Sequence, residues 1–456
     1  MPPNVIVSSI LSICNIDNTE REALRKRYTF TPIVPKGTPR HVRPLSVSLC
    51  TTYKQFFNVP RDLALLQEWQ QAGGNVHIVD AQDIVNNSGT APVQFIGELD
   101  PARNQPEAVA QCLAQLRSSA FGGGCLLSLP PGFGKTACAL FISANIARRT
   151  LILVHTSVLA QQWKERVESF LTNANVKVVG SQSVPADIQD ATHIIVLLQT
   201  VVALTKRGEL SWLQNLHDLM IVDECHHVCA RTLCKVVETV GCRYRLGLSA
   251  TVERKDGLDQ MLVCLLGPMA YRCERHDHPN LTVHAIKYAC STEILCEPTF
   301  VANVNEMTRD PRRQAMLLQR MIELYEQGRY IIVLSDRLQQ LRDFEAGLSP
   351  NIPTHMAIGG NLEAPDMSSR PVLLATYQFA SEGLDIPVLN TCIMASPRVD
   401  VKQSVGRILR LSGGNPMVLD VIDIDRPIMK RQFSRRKQFY TKPLQDGGLQ
   451  AIVILS

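Results

Sequence analysis

From about Leu126 onward, short β-rich apolar runs alternate with longer amphipathic segments, the pattern of βαβ units around a parallel sheet. Leu126 to Leu129 predicts a strand, Lys135 to Arg148 a helix, Leu151 to His155 a strand and Val158 to Leu171 a helix. Val176 to Val179 and Ile194 to Leu198 follow as strands, and then Leu219 to Val222, closed by two acidic residues. This series predicts one doubly wound domain.

Around Cys273 to Leu281 a stretch rich in charge and histidine, ending in Pro279-Asn280, interrupts the alternation and predicts a lobe boundary. A second series then begins. Asp310 is placed to cap a helix that opens with Pro311 and runs to about Gln327. Tyr330 to Leu334 predicts a strand, Arg337 to Leu348 a helix, and Val372 to Ala375 and Thr391 to Ala395 two strands. Val401 to Leu411 predicts a helix and Met417 to Ile424 a strand. The organisation expected is therefore α/β, with an ATP-binding-type lobe over 96–272, a second lobe over 282–456 and a small accessory domain over 1–95, which shows neither lobe pattern.

Composition narrows the class without changing that picture. With 456 residues, 45% hydrophobic and 20% charged, the chain has enough apolar surface for two or three cored domains and is neither disordered nor fibrous. Runs such as Leu151 to Val154 are too short to span a bilayer, and Met1 to Cys14 has no basic residue ahead of its apolar patch. A soluble, intracellular protein without membrane partners is expected. Most of the 14 cysteines are scattered singly, as Cys138 and Cys392 are, and read as reduced buried thiols. The cluster Cys225, His226, His227, Cys229 and Cys234 invites zinc, but no second ligand pair stands at zinc-finger spacing. A net charge of +5 permits nucleic-acid binding without demanding it.

Leu129-Pro130-Pro131-Gly132-Phe133-Gly134-Lys135-Thr136 lies between a predicted strand and a predicted helix, the context a phosphate-binding loop needs. Gly132 and Gly134 let backbone N–H groups face the phosphates, with Pro131 and Phe133 between and before them. Lys135 supplies a cation to the β and γ phosphates of ATP, and the Thr136 hydroxyl completes a magnesium shell. Leu129 stands where the general motif has its first glycine, and a plain glycine-rich turn is the competing reading.

Asp223 and Glu224 follow Leu219 to Val222, at the strand end where open α/β sheets bind ligands. Adjacent carboxylates can divide the work: Asp223 holds magnesium while Glu224 orients and deprotonates the attacking water. Further on, Gln403, Gly406, Arg407 and Arg410 fall at i, i+3, i+4 and i+7, one face of a helix. Arg407 and Arg410 suit a transferring phosphoryl group, Gln403 suits nucleotide sensing, and a solvated basic face is the plainer alternative.

With these pieces the chain resembles the superfamily 2 helicases over roughly residues 95 to 445, and Asp223-Glu224-Cys225-His226 resembles their Asp-Glu-x-His box. The resemblance implies two RecA-like lobes that hydrolyse ATP between them and move along nucleic acid. Arg103-Asn104-Gln105 resembles the adenine-reading segment, which makes Gln105 the candidate for adenine contact. Ser249-Ala250-Thr251, with His226, is similar to the elements that couple hydrolysis to movement. Ala375-Thr376 to Gly383-Leu384-Asp385-Ile386-Pro387 resembles the second-lobe motif that touches nucleotide and nucleic-acid backbone, so Gly383 and Asp385 join the nucleotide set. By the same likeness Thr156, Ser157, Thr200 and Thr376 are expected to grip the nucleic-acid backbone, which carries no sequence information.

Gln162-Trp163-Lys164-Glu165-Arg166, and Leu246 to Thr251 followed by Arg254-Lys255-Asp256-Gly257, resemble the XPB-like branch and helicases of large DNA viruses and phages. Val59-Pro60-Arg61 and the basic Phe433 to Tyr440 segment share that look. XPB itself carries Arg-Glu-Asp where this chain has Arg254-Lys255-Asp256. The branch implies DNA over RNA as partner, an association with transcription or repair proteins, and, for a viral chain, the host nucleus or cytoplasm. Rival readings are an RNA-directed ATPase of the same superfamily, a catalytically silent nucleic-acid clamp, and a nuclease, for which no separate carboxylate cluster is seen. The basic Lys430 to Lys437 segment, with Phe433, Phe439 and Tyr440 interleaved, reads either as charge and stacking beside the track or as a solvated tail.

Overall fold

The computed structural model describes residues 4–34, 43–73, 75–78, 92–119, 122–130, 132–147, 149–180, 187–209, 213, 217–230, 232–250, 256–273, 281–290, 299–348, 350–358, 366–382, 386, 388–398, 415–440 and 451–455. The chain divides into two compact units, Met1–Glu274 and Arg275–Ser456. Among the described residues no helix is long and apolar enough to cross a membrane.

The first unit opens with a five-stranded sheet of β1 (Asn4–Val7), β2 (Ile10–Cys14), β3 (Thr51–Tyr53), β4 (Phe56–Pro60) and β5 (Asn75–Ile78), in the order β3-β4-β2-β1-β5. Helices α1 (Asn18–Arg27) and α2 (Leu63–Gln71) interrupt it, each started by an aspartate, Asp17 or Asp62, whose carboxylate accepts from first-turn N–H groups. Alternation along β2 and β4 buries Leu11, Ile13, Phe57 and Val59, and these side chains join one apolar cluster with Leu126, Leu151 and Met220 of the following sheet. The accessory region is thus packed into the core of the first unit.

That following sheet has seven strands. In chain order the elements are α3 (Gln105–Leu116), β6 (Gly123–Ser128), α4 (Lys135–Ile146), β7 (Thr150–Val154), α5 (Ser157–Phe170) and β8 (Val176–Val179). Then come β9 (His193–Leu197), α6 (Leu198–Arg207), β10 (His217–Val222), β11 (Cys242–Ser249), α7 (Asp259–Leu266) and β12 (Met269–Arg272). The strand order is β8-β9-β7-β10-β11-β6-β12, and every ladder is parallel. β6 and β7 are buried at every position because helices cover both faces.

The second unit repeats the construction. Its elements are β13 (Thr282–Tyr288), α8 (Phe300–Met307), α9 (Pro311–Glu326), β14 (Ile331–Ser335), α10 (Leu338–Gly347), β15 (Thr354–Ala357) and β16 (Val372–Thr376). α11 (Tyr377–Glu382), β17 (Thr391–Met394), β18 (Met417–Asp423), α12 (Pro427–Tyr440) and β19 (Ala451–Leu455) complete it. Its seven strands run β15-β16-β14-β17-β18-β13-β19, again all parallel. Asp310 caps α9 as its place before Pro311 predicts, its carboxylate accepting from the Arg312 and Arg313 amides.

The basic segment before Tyr440 departs from the expectation. It forms α12, whose Phe433, Arg436 and Tyr440 point into the core and are 8%, 1% and 0% exposed. Phe433 and Tyr440 are therefore not free to stack on a partner, and only the outer face, with Lys430, Arg431, Arg435 and Lys437, meets solvent. The Val401 to Leu411 helix lies outside the described residues.

Candidate active site

Strands β7, β10, β11 and β6 are neighbours, so the segments that leave their C-terminal ends converge on one edge of the first unit's sheet. After β6 the chain turns through Gly132 and Gly134, at φ +83° and +80°, the left-handed region that favours glycine. At Gly134 the reason is doubled, because a Cβ there would lie 2.3 Å from Gln105 Nε2. Gly134 is also the N-cap of α4 and offers no side-chain acceptor, leaving the first N–H groups of the helix for an anion. Lys135 Nζ lies 3.5 Å from the Leu129 carbonyl and 3.8 Å from Glu224 Oε1.

Glu224 follows β10 with φ +44° and ψ 52°, a left-handed backbone in a residue with a Cβ, a conformation that persists only where its surroundings enforce it. Asp223 beside it is 7% exposed. Burial raises its pKa, the adjacent Glu224 charge adds to the rise, and Lys135 opposes both. Asp223 Oδ1 accepts from the Glu224 amide at 2.9 Å and Oδ2 from the Trp163 indole N–H at 2.8 Å. His226 Nδ1 is 3.3 Å from Glu224 Oε2 and 3.3 Å from the Ser249 hydroxyl at the end of β11. One imidazole thus bridges the Asp-Glu pair and the Ser249-Ala250 segment, both described and adjacent.

Two contacts of the site escaped the sequence reading. Trp163 is 2% exposed, and its N–H reaches Asp223 from α5 across 60 residues of chain. The available signal was a tryptophan on the inner face of a polar-flanked helix, since a buried indole N–H needs an acceptor. Arg103 Nη1 donates to the Gly132 carbonyl at 2.7 Å, bracing the phosphate loop from outside. In addition the His155, His227 and His226 rings stack in series, with centroids 4.1 and 4.3 Å apart. Burial lowers the pKa of His155 against the pull of Glu224 and Asp223.

Gln105 is 4% exposed, and its amide is engaged at both ends: Nε2 donates to the Phe133 carbonyl at 2.9 Å and Oε1 accepts from the Asp100 amide at 2.8 Å. Thr156 caps α5, its hydroxyl accepting from the Leu159 amide, and Ser157 opens that helix at the same sheet edge. Thr200, in the first turn of α6, is buried at 5% exposure. In the second unit Thr376 ends β16 and accepts from the Phe379 amide at 3.2 Å. Pro131, Thr251, Gly383, Asp385, Gln403, Arg407 and Arg410 lie outside the described residues.

The donor set is that of a phosphate site with a hard cation. One ammonium, an open helix start and two adjacent carboxylates are brought together, with Thr136 in the first turn of that helix, and the oxygen donors among them fit a hard cation. Cys225 beside them is fully buried, its thiol pushed up first by burial and then by Glu224. Such a thiol is a core side chain, inert as a nucleophile.

Residues 98–254 match the family described as type III restriction enzyme, res subunit. A putative ATP-dependent RNA helicase of Acanthamoeba polyphaga mimivirus is 30% identical over 70% of this chain and 64% of its own length. The helicase/translocase subunit XPB of general transcription and DNA repair factor IIH from Schizosaccharomyces pombe is 27% identical over 65% of this chain and 41% of its own. The match therefore spans less than two thirds of either relative. Among solved structures, Saccharomyces cerevisiae Dbp5 bound to RNA and ADP BeF3 shares the fold, with TM-score 0.52 and 15% identity over 77% of this chain and 89% of that one.

Proposed function

The chain is a superfamily 2 helicase relative, XPB-like and akin to viral helicases, and from that premise we propose that it is an ATP-dependent motor acting on DNA. The observation that carries the reading is the contact series Lys135, Glu224, His226, Ser249 at one sheet edge, which joins a phosphate-binding cation to a base and the base to a neighbouring strand end.

In this reading the α4 N-terminus, Gly132, Gly134 and Lys135 hold the phosphates of ATP. Lys135 exchanges its Glu224 contact for the phosphate chain, which frees Glu224 to take a proton from the attacking water. His226, within reach of both Glu224 and Ser249, reports the state of that carboxylate to the Ser249-Ala250-Thr251 segment. Thr136 and Asp223 would hold Mg²⁺, which when bound neutralises charge developing on the phosphates. Gln105 is assigned to the adenine side through its hold on the phosphate loop. Arg407, Arg410, Gln403, Gly383 and Asp385 are assigned to the nucleotide, and Thr156, Ser157, Thr200 and Thr376 to the nucleic-acid backbone, on the family resemblance.

Trp163 is placed to orient Asp223. Trp163→Phe is expected to raise the Mg²⁺ concentration for half-maximal ATPase roughly tenfold, in the range for outer-shell partners of metal ligands. A Mg²⁺ titration at saturating ATP checks this. An unchanged midpoint with only a lowered Tm would make Trp163 a packing residue.

DNA is favoured by the Gln162-to-Arg166 and Leu246-to-Gly257 wording, and RNA by the mimivirus relative's designation as an RNA helicase. Purified protein is expected to hydrolyse ATP slowly alone and several-fold faster with DNA than with RNA of matched length. Stimulation by RNA alone would establish the RNA reading, and no hydrolysis under any condition would leave a nucleic-acid clamp. Among the described residues no two cysteines form a disulfide, as the reducing intracellular compartment of this reading requires, and transcription or repair proteins are the partners the XPB-like branch suggests.

A further inference from the structure

At the opposite ends of the same strands lies a second cavity of about 290 Å³, formed where the N-terminal sheet meets the first lobe. It begins at Gly123 and Gly124, the start of β6, about 20 Å along the strand from the phosphate loop by the ordinary rise per residue. Its charged lining is three guanidinium groups, Arg61, Arg243 and Arg245, and one carboxylate, Asp62. Gln115 and Ser118 add polar groups.

The single carboxylate is already engaged. Asp62 accepts from the Tyr28 hydroxyl at 2.7 Å, pairs with Arg27 at 3.1 Å and caps α2 through the Ala64 and Leu65 amides. Arg245 is the informative member, at 4% exposure. Its Nη1 donates to the Leu265 carbonyl at 2.9 Å and its Nη2 to the Ser9 carbonyl, while its Nε is buried without a hydrogen-bond partner among the described residues. The Leu265 carbonyl belongs to the C-terminal turn of α7, whose dipole offsets roughly half a charge. Glu238 faces Arg245 electrostatically, but burial lifts its pKa to about 7 and its Oε1 has no hydrogen-bond partner among the described residues, so it is a weak counter-ion near neutrality. Burial, and then the Arg61 charge, lower the pKa of Arg245 to about 10, the direction expected when a buried cation is short of anions.

A buried guanidinium whose hydrogen bonds go to carbonyls is costly until an anion joins it. Guanidinium forks match phosphoryl oxygens in pairs. We propose that this cavity is a binding site for a multivalent phosphate anion of about diphosphate size, held by Arg61, Arg243 and Arg245 and distinct from the ATP site. Arg61 follows β4 of the N-terminal sheet and bonds to the Cys242 carbonyl, while Arg243 and Arg245 belong to β11 of the lobe. An occupant therefore ties the N-terminal sheet to the lobe. The inference does not rest on ATP hydrolysis, since none of these residues belongs to the nucleotide set.

The test uses the full chain carrying Lys135→Ala, which removes the main cation for pyrophosphate at the phosphate loop. Calorimetric titration with inorganic pyrophosphate is expected to show one saturable site. Arg61→Gln or Arg243→Gln, both at partly exposed rim positions, is expected to weaken it roughly tenfold or more. Arg245→Gln should abolish binding, and the rim variants keep the test decisive if that variant does not fold. Pyrophosphate displaced by a short DNA duplex would identify a backbone phosphate as the natural source, and undisturbed binding a free phosphate compound. An absence of saturable binding, or affinity untouched by both rim substitutions, overturns the proposal and leaves the ATP-site reading intact.

Discussion

Replacing Glu224 by Gln is expected to lower kcat for ATP about 10²- to 10⁴-fold, the range for loss of a positioned general base, with nucleotide affinity preserved or slightly improved. The geometry separates the two effects. Glutamine keeps the shape of the side chain, so the left-handed turn at this position and the wedge of the segment against Ser249 are retained. What disappears is a negative charge 3.8 Å from Lys135 Nζ, and without it the ammonium is freer to meet phosphates. The same charge is the second cause of the raised pKa of Asp223, after burial. Its removal makes Asp223 easier to ionise, so metal affinity should not fall. Steady-state ATPase beside equilibrium titration with a fluorescent ATP analogue reads both quantities. A kcat loss below tenfold would remove Glu224 from the base role, and parallel loss of binding would make it structural.

How much of this was legible beforehand depends on what each pattern encodes. The strands of the first lobe could be read because they are apolar at nearly every position, a consequence of helices covering both faces. Thr150–Val154 and His217–Val222 begin only one or two residues from the predicted Leu151 and Leu219. The phosphate loop and the Asp-Glu pair were legible because their chemistry needs particular residues at particular offsets along the chain. Trp163 was not, because its partner Asp223 is remote in sequence and only the packing of α5 on the sheet, against β7 and β9, brings them together. The first 95 residues gave short, weakly patterned strands, and the antiparallel pairing of β1, β2 and β4 has no signature as strong as a βαβ alternation.

The segment over α12 shows the same limit from the other side. Its composition, rich in Lys and Arg, reads as solvated, yet Arg436 is among the most deeply buried side chains of the second unit. The missed clue lay elsewhere, at Asp420, a charged residue inside the otherwise apolar stretch 417–422. An aspartate on a covered strand requires a partner, and a downstream basic helix is the natural supplier.

Asp420→Ala is accordingly expected to destabilise the second unit by about 3–5 kcal/mol, the cost of leaving one member of a buried pair unpartnered. Asp420 and Arg436 are each 1% exposed. The carboxylate accepts from Arg436 Nε at 2.7 Å and Nη2 at 2.9 Å, a two-pronged contact, and from the Tyr440 hydroxyl at 3.1 Å. Burial works against the Arg436 charge, but Asp420 more than compensates and holds it above its ordinary range. All three tryptophans, Trp69, Trp163 and Trp212, precede Arg275, so indole fluorescence follows the first unit alone, whereas far-ultraviolet circular dichroism follows both. Urea unfolding should then show the dichroism transition moved to lower denaturant with the fluorescence transition little changed. The pair substitution Asp420→Leu with Arg436→Met should recover much of the loss, because it removes the charge together with its counter-charge and fills similar volume. If Asp420→Ala alone costs less than about 1 kcal/mol, water or another anion must already satisfy Arg436, and the pair would not be what anchors α12 to the sheet.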